Sequence, residues 1–403
     1  MHILIGIVGL VVFLALAFAP ARDVRLLRKK APYIVGMLVI QVLLGLLMLK
    51  TGVGKAVIDA FANLFEHLLG YAGEGAHFVF GGLVDVKKDG SGPFMLTVLI
   101  PIIFIASLIG ILQYIRVLPL VIKYLGLALS YVTGMGRLES FNAVSSAIIG
   151  QSENFIAIKR ILPELPSHRV YTLSASAMST VSMSIVGSYM VMIEPRYVVA
   201  AIVLNLFGGF IVVSLINPYE LTEEENRLVA VERKKQSFFE MLGEYILDGA
   251  KVALTVAAML VGFVALIALI NGIFAAVLGG TTFQDVLGHA FAPLAFLTGV
   301  PWHESVTAGE IMATKLVSNE FVAMLSFTPS APGGQVHLSE RSTAIVQTFL
   351  VSFANFSSIG IIAGAAKSLA PEQGDQIARF GLKLLYGATL VSFISATIVG
   401  LIS

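Results

Sequence analysis

Long apolar runs recur along the whole chain, and their lengths suit helices that cross a lipid bilayer. They lie at residues 3–18, 33–49, 94–115, 170–192, 197–216, 247–273, 342–363 and 378–402. About 20 residues of helix cover the hydrocarbon core of a bilayer. The composition agrees, because 57% of the 403 residues are hydrophobic and only 13% are charged. The sequence therefore predicts an all-α membrane protein with eight transmembrane helices.

Basic residues are concentrated in three of the predicted loops. These residues are Arg22, Arg25, Arg28, Lys29 and Lys30, then Arg227, Arg233, Lys234 and Lys235, and finally Lys367 and Arg379. Cytoplasmic loops carry an excess of Lys and Arg, so the pattern predicts a multi-pass protein with both termini outside. The first basic cluster follows the first apolar run, which indicates a retained span and not a signal peptide. A net charge of +1 gives no indication of a nucleic-acid partner.

Two further apolar segments, 138–162 and 293–328, are interrupted by polar residues near their middle. Non-helical backbone at membrane depth is tolerated where it is buried in protein or lines a cavity, so each segment is predicted to be a re-entrant helical hairpin. Each hairpin is followed by two spans. Because spans four, five and six lie between the two hairpins, the hairpins enter from opposite sides. Such inverted repeats are typical of secondary transporters, whose substrate site lies near the midplane.

Residues 54–69 and 117–131 are predicted to be amphipathic helices that lie in the membrane interface. The chain is thus divided into four regions. These are a mainly scaffold region of spans and interfacial helices (1–135), a first repeat (136–216), a connecting region with the sixth span (217–292) and a second repeat (293–403).

Two acidic residues, Glu153 and Glu320, lie inside the predicted hairpins. A carboxylate at bilayer depth costs at least about 2.5 to 3.5 kcal/mol, so each needs a partner or a polar cavity. We expect both to contact a substrate.

Other polar residues accompany these carboxylates: Gln151 precedes Glu153, Asn319 precedes Glu320, and Asn355 and Ser358 form a third cluster. Amide, carboxylate and hydroxyl groups together suit a neutral ligand with many donors and acceptors, such as a nucleoside or a sugar. No basic residue belongs to these clusters, which disfavours a phosphate or an organic anion. Lys315 is five residues from Glu310, a spacing that predicts no ion pair between them.

The chain resembles the concentrative nucleoside transporter family, in particular its bacterial NupC-like branch. The resemblance is strong in Gly136 to Lys159, Met178 to Gly187, Ala313 to Ala323 and Phe353 to Ile362, and it extends from the first span to the last. It implies a homotrimer in the inner membrane of a bacterium that imports nucleosides by an elevator mechanism with ion symport. It implies no enzymatic activity and no organic cofactor.

The resemblance also implies roles for individual residues. Gln151, Ser152 and Glu153 match nucleobase contacts of the family. Glu320, Asn355 and Ser358 match ribose contacts, and Phe353 lies beside the ligand. Tyr189 stands where some relatives have a small aliphatic side chain, so the base preference stays open.

The sequence departs from the family pattern at Ser146, and this departure bears on the identity of the coupling ion. Sodium-coupled members usually have Asn there, which ligates the ion with a hydroxyl matching Ser184 and carbonyls matching Ile149 and Ile185. The shorter serine withdraws one oxygen from a hard cation. A proton is therefore predicted as the coupling ion, with sodium as the alternative and no confident metal site.

If a proton couples transport, a carboxyl group must bind and release it. Burial favours the neutral form of a carboxyl group, which makes Glu153 the first candidate and Glu320 the second.

The residues considered without the family resemblance leave other functions open. A transporter of another polyol or a nucleobase would use the same groups. A membrane-embedded hydrolase would need the two carboxylates to face each other as acid and base. A passive channel would be distinguished by the absence of counterflow exchange.

Overall fold

A computed structural model describes residues 2–20, 24–84, 93–223, 225–226, 236–329 and 334–403, and this part of the chain is helical without strands. Its helices are α1 (His2–Phe18), α2 (Val24–Lys50), α3 (Gly52–Phe80), α4 (Pro101–Tyr114), α5 (Val117–Thr133), α6 (Arg137–Ile148), α7 (Glu153–Ala157), α8 (Ser167–Ser179), α9 (Met183–Met192), α10 (Pro195–Ile216), α11 (Phe238–Val277), α12 (Phe283–Leu297), α13 (Trp302–Val317), α14 (Glu320–Leu325), α15 (Glu340–Leu350), α16 (Phe356–Leu369), α17 (Pro371–Arg379) and α18 (Gly381–Ile402). The all-α prediction is confirmed. The basic residues Arg22, Arg227, Arg233, Lys234 and Lys235 lie outside the described residues.

Helices occur at all eight predicted spans, but not all of them are long apolar helices. Six stretches are long and apolar enough to cross a membrane: Arg25–Lys50, Met95–Tyr114, Ser167–Met192, Pro195–Ile216, Phe238–Val277 and Gly381–Ile402. The remaining two predicted spans correspond to α1, which is shorter, and to the α15–α16 pair. The figure of eight crossings stays a prediction.

Two of the predicted spans are broken near their middle. The stretch 180–182 separates α8 from α9, and the stretch 351–355 separates α15 from α16. Ser182 and Asn355 are the N-caps of the second halves, where their side chains accept hydrogen bonds from the backbone nitrogens of Ser184 and Ser358. The predicted spans at 170–192 and 342–363 are therefore not continuous helices, because Ser182 and Asn355 cap new helices within them.

The two interrupted segments form short pairs of helices. The first predicted hairpin, 138–162, corresponds to α6 and α7. The second, predicted at 293–328, corresponds to α13 and α14, and its predicted start falls inside α12. That start was wrong because α12 is apolar and carries Pro293 internally, so its sequence merges with the next helix. The turn between α12 and α13 contains Gly299 at φ +102°, a conformation that glycine adopts readily.

The same order of elements occurs twice, in α5–α10 and in α12–α18. Each copy has a helix, two hairpin helices, a broken helix and a final long helix, with α17 as an addition in the second copy. In each copy the helix before the hairpin packs against its first arm, α5 on α6 and α12 on α13. The division of the chain into four regions stays a prediction. The predicted boundary between residues 292 and 293 falls inside α12. In the repeated order of helices, the second copy instead begins near residue 283, at the start of α12.

Helices α10 and α18 form the centre of the molecule. Both are largely buried, they pack against each other, and α10 contacts α8 while α18 contacts α15. Helix α11 is mostly exposed. The candidate interfacial segments lie within α3 and α5, and their location at a membrane interface stays a prediction.

Candidate functional site at two helix breaks

The two helix breaks meet in the interior of the protein. The backbone nitrogen of Phe353, in the second break, donates a hydrogen bond of 3.1 Å to the carbonyl oxygen of Thr180 in the first. Asn205 of α10 donates from Nδ2 to the carbonyl oxygen of Val351 at 2.6 Å. A helix break exposes backbone groups that must find new partners. These bonds satisfy such groups and fix the two breaks against each other and against the core.

Glu320 lies beside these breaks, at the first position of α14. Its Oε1 accepts a hydrogen bond from the hydroxyl of Tyr189 at 2.8 Å, and its Oε2 accepts one from Nδ2 of Asn355 at 2.9 Å. Asn355 Oδ1 accepts bonds from the Ser358 nitrogen and the Ser357 hydroxyl, which fixes the orientation of the amide. Glu320, Tyr189 and Asn355 are all buried. Both partners donate, so the carboxyl group is held as an acceptor.

The structure thus brings together most of the residues predicted to contact a ribose. Glu320, Asn355 and Ser358 lie within one hydrogen-bonded group, and Phe353 is in the break that precedes them. Tyr189 also belongs to this group, where its ring packs edge-on against Phe321 at 5.0 Å between centroids. Its hydroxyl occupies one acceptor site on Oε1 of Glu320.

The tip of the first hairpin carries the other predicted contacts. Ser152 donates from Oγ to Oε2 of Glu153 at 3.0 Å. Gly150 has φ +138°, and a Cβ there would approach Glu153 Oε2 to 2.5 Å, so the tip requires glycine. Gln151 is buried, and its Oε1 has no hydrogen-bond partner among the described residues. A buried acceptor without a partner suits a ligand donor.

Glu153 and Glu320 differ in burial. Glu320 is 4% exposed, whereas Glu153 is exposed in the single chain. The expectation that a carboxylate within each hairpin is enclosed is met only by Glu320. Glu153 opens the short helix α7 at the surface of the chain.

All four residues predicted as ion ligands have hydrogen-bond partners within the protein. The Ser146 hydroxyl accepts a hydrogen bond from Nδ2 of Asn154. The Ile149 carbonyl accepts one from the Ser182 hydroxyl at 3.0 Å, and the hydroxyls of Ser182 and Ser184 lie 2.7 Å apart. The fourth predicted ligand, Ile185, is bound through its backbone nitrogen to the Ser182 carbonyl.

Asn154 is a residue that the sequence reasoning missed. Asn142 donates from Nδ2 to the Leu173 carbonyl at 3.1 Å, so its Oδ1 is directed to Asn154. Nδ2 of Asn154 therefore faces two acceptors, Oδ1 of Asn142 and the hydroxyl of Ser146. The signal was present in the sequence as an amide next to Glu153 in an otherwise apolar hairpin arm.

Lys315 is the second missed residue. It is 0% exposed, and its Nζ donates to the Phe349 carbonyl at 2.6 Å and to the hydroxyls of Ser352 at 2.7 Å and Ser392 at 3.2 Å. Among the described residues, Lys315 makes no hydrogen bond to the side chains predicted to contact the substrate, although it lies near them through Ser352. A lysine near the end of a predicted hairpin arm was a signal of a buried cation, but only its spacing from Glu310 was considered.

Comparisons with known proteins cover the whole chain. Three family models match: "Na+ dependent nucleoside transporter C-terminus" over residues 197–400, "Na+ dependent nucleoside transporter N-terminus" over 8–83, and "Nucleoside recognition" over 95–196. The purine nucleoside transport protein NupG of Bacillus subtilis is 34% identical, with 100% of this chain and 99% of NupG covered. The nucleoside permease NupC of Helicobacter pylori is 33% identical, with 99% of this chain and 97% of NupC covered.

A solved structure has the same fold. CNTnw in an inward-facing substrate-bound state superposes with a TM-score of 0.91 at 31% identity, with 100% of this chain and 98% of that chain covered. The matched family and these relatives are transporters and not enzymes.

Proposed function

The chain belongs to the Na+ dependent nucleoside transporter family, and from this premise we propose that it imports nucleosides across the membrane by ion symport. The observation that carries the proposal is the buried Glu320, which is held as an acceptor by Tyr189 and Asn355 where two helix breaks meet. A carboxylate with two oxygens has about four lone-pair sites, so hydroxyl donors of a ribose find acceptors there in addition to these two partners.

The nucleobase is assigned to the first hairpin. Gln151 supplies a buried carbonyl oxygen without a partner, and Ser152 and Glu153 supply a hydroxyl and a carboxylate beside it. Base edges present both donors and acceptors, which these three side chains match. Glu320, Asn355 and Ser358 bind the ribose, with Phe353 next to the ligand.

We place the protein in the bacterial inner membrane as a homotrimer with eight spans, two oppositely oriented hairpins and both termini outside. Transport proceeds by an elevator movement. Two facts support alternating access: the element order repeats along the chain, and CNTnw, which shares the fold, has been solved in inward-facing and outward-facing states.

A proton is favoured over sodium as the coupling ion because of Asn154. Its amide nitrogen, a hydrogen-bond donor, approaches the Ser146 hydroxyl where sodium-coupled relatives are expected to place a ligand oxygen. Sodium requires oxygen ligands, and an N–H group directed at that position opposes a cation. Glu153 is the candidate proton carrier because it is accessible, whereas Glu320 is enclosed by its partners. Sodium coupling stays the alternative, which the description of the matched family favours.

The test is uptake of a labelled nucleoside panel into proteoliposomes that contain the purified protein. We expect counterflow exchange with preloaded nucleoside, which a channel would not show.

Uptake should be stimulated by an inward pH gradient without sodium, and an inward sodium gradient at equal pH should have no effect. Stimulation by sodium alone would overturn proton coupling, and absence of nucleoside uptake under every gradient would overturn the function.

A matched pair of variants tests whether residues 146 and 154 determine the preference for a proton over sodium. Ser146→Asn with Asn154→Ala restores a long amide at position 146 and removes the competing donor, so sodium stimulation should appear. Asn154→Ala alone leaves the oxygen set short and should not respond to sodium.

A further inference from the structure

The segment that leads into α4 departs from a regular α-helix. Residues Met95–Leu99 form a π-helical turn, in which the nitrogen of Ile100 donates to the carbonyl oxygen of Met95 at 3.0 Å. Pro101 follows at the first position of α4, and proline has no N–H to donate. Single π-helical turns occur frequently at functional sites. The carbonyl oxygens of this turn lie outside the regular helical pattern and can accept from other helices.

A serine of the first repeat uses one of these carbonyl groups. The hydroxyl of Ser188, on α9, donates to the carbonyl oxygen of Val98 at 2.6 Å. Ser188 is 1% exposed and Val98 is 5% exposed, so this bond between helices is buried. The next residue, Tyr189, donates to Glu320 at 2.8 Å. Consecutive residues of α9 thus contact the start of α4 and the proposed ribose site.

Helix α4 belongs to a different packing unit from α9. It packs against α11, and both lie outside the two copies of the repeated order, α5–α10 and α12–α18. A Cβ on Gly249 of α11 would approach Cα of Ile103 in α4 to 2.8 Å, so these two backbones are locked together. A Cβ on Gly187 of α9 would instead meet side chains of α3, Phe65 at 3.1 Å and Leu69 at 3.3 Å. Contacts of the second kind can adjust when packed helices slide past each other.

We propose that the Ser188–Val98 hydrogen bond is a latch between the first repeat and the α4–α11 pair. It is closed in this conformation and opens when the repeats move. The proposal rests on the proposed function, because the elevator movement is the motion that opens the latch. Serine suits this task, since a released hydroxyl can donate to the carbonyl group four residues earlier in its own helix, that of Ser184. The latch therefore stabilises one state without leaving its donor unpaired in the other.

The expected strength of the latch allows it to shift an equilibrium and still to open. Hydrogen bonds between transmembrane helices change equilibria by about three-fold on average and by up to roughly eighteen-fold. Loss of the Ser188 hydroxyl should change the ratio of the two states by a factor in this range, at the expense of the closed state.

Single-molecule fluorescence transfer between two dyes measures this ratio in the purified full-length protein. The chain has no cysteine, so Lys159→Cys after α7 and Phe239→Cys at the start of α11 place one dye in each packing unit. Both positions are exposed. Labelled chains are mixed with an excess of cysteine-free chains, so that each assembly contains at most one labelled subunit. We expect two populations when Ser188 is present.

Three variants separate a latch from a general loosening of the protein. Ser188→Ala should change the ratio of the populations by about three-fold to roughly eighteen-fold. Ser188→Thr keeps the hydroxyl and should keep the wild-type ratio. Ser107→Ala is the matched control, because the Ser107 hydroxyl donates to the Ile103 carbonyl of its own helix, α4, at 2.7 Å. An unchanged ratio in Ser188→Ala, or an equal change in Ser107→Ala, would overturn the latch.

Uptake of labelled nucleoside into proteoliposomes distinguishes failure of the latch from failure of the proposed function. A single population in the wild type, with uptake intact, would overturn the latch and leave nucleoside transport in place. Two populations that respond to Ser188→Ala, in a protein that takes up no nucleoside, would support the latch and overturn the proposed function.

Discussion

At the scale of single residues, the two hairpin glutamates have different surroundings, so neutralising each one removes different contacts. Glu320 accepts from two side chains in a buried site, whereas Glu153 is exposed and accepts from its neighbour Ser152. An amide at position 320 can keep its oxygen on Nδ2 of Asn355 only if its NH₂ group faces the Tyr189 hydroxyl, so the position loses the negative charge and one acceptor oxygen. An amide at position 153 loses only the negative charge at an accessible position.

We expect Glu320→Gln and Glu153→Gln each to abolish nucleoside uptake while the protein remains folded. The loss of a charged hydrogen bond to a ligand hydroxyl costs about 1.5 to 3 kcal/mol, which corresponds to roughly ten-fold to over one hundred-fold in affinity. Uptake into proteoliposomes and binding by calorimetry measure the effect. Glu66→Gln, at an exposed position of α3, serves as the control. Wild-type uptake by both hairpin variants would contradict the site.

The substrate itself offers a complementary test. Removal of the 2′ and 3′ ribose hydroxyls should weaken binding far more than a change of base, because Glu320, Asn355 and Ser358 would be left without ligand partners in a buried site. Competition by dideoxynucleosides against a labelled nucleoside measures this, and nucleoside monophosphates should not compete. Equal competition by the dideoxy and parent compounds would show that the ribose is not bound here.

Single-sequence reasoning identified the substrate-facing residues better than the residues that support them. Glu320 and Asn355 were predictable because a charge or an amide in an apolar segment needs a partner. Lys315 was missed because its partners lie far away in the chain: Ser392 is 77 positions from Lys315. Asn154 bonds to Asn142 and Ser146 of the same hairpin, and the way in which the two arms face each other was not foreseen. Both polar residues stood out in the sequence, but the identity of their partners depends on helix packing.

At the scale of elements, the first arm of each hairpin is anchored through a glutamate near its start. In α6, Glu139 forms a buried ion pair with Arg169 of α8, at 2.6 Å from Oε1 to Nε, and also accepts from the Tyr219 hydroxyl at 3.0 Å. In α13, Glu304 accepts from the nitrogen and hydroxyl of Ser339 and from the hydroxyl of Ser342. Each anchor ties a hairpin to the start of the broken helix that follows it.

These two anchors should differ in strength. Removing one partner of a buried ion pair leaves an uncompensated charge and costs about 3 to 5 kcal/mol, so Arg169→Met should strongly lower the melting temperature. Removing both charges, with Arg169→Met and Glu139→Gln together, should recover most of that loss. Glu304→Gln removes no ion pair and should have a smaller effect. Thermal unfolding of the purified wild type and the three variants measures these effects, and an unchanged melting temperature in Arg169→Met would contradict the anchor.

The helix breaks show why element boundaries were harder to predict than element types. The apolar flanks of 170–192 and 342–363 indicated helices correctly. The breaks depend on Thr180 and Phe353 meeting across the core, together with Asn205 from α10. Only in the folded protein are the backbone hydrogen bonds lost at each break replaced by bonds to other parts of the chain.

At the scale of the whole molecule, the repeated order of elements predicts from which side of the membrane each hairpin enters. With three predicted crossings between the two hairpins, we expect residues after the first hairpin to lie in the cytoplasm and residues after the second to lie outside. The matched structures agree in fold, which supports the same helical arrangement but leaves the orientation of this chain to experiment.

The absence of cysteine makes that orientation directly measurable, because one introduced thiol is then the only one in the chain. Lys159 follows α7, the second arm of the first hairpin, and His337 follows α14, the second arm of the second hairpin; both are exposed. On intact cells, a membrane-impermeant maleimide should label His337→Cys and Ser403→Cys but not Lys159→Cys. Lys159→Cys should become labelled only after the inner membrane is permeabilised. Glu223→Cys, in the predicted cytoplasmic loop, should behave like Lys159→Cys.

Labelling of Lys159→Cys and His337→Cys from the same side would refute the inverted repeat, because hairpins that open to one side cannot be related by a two-fold axis in the membrane plane.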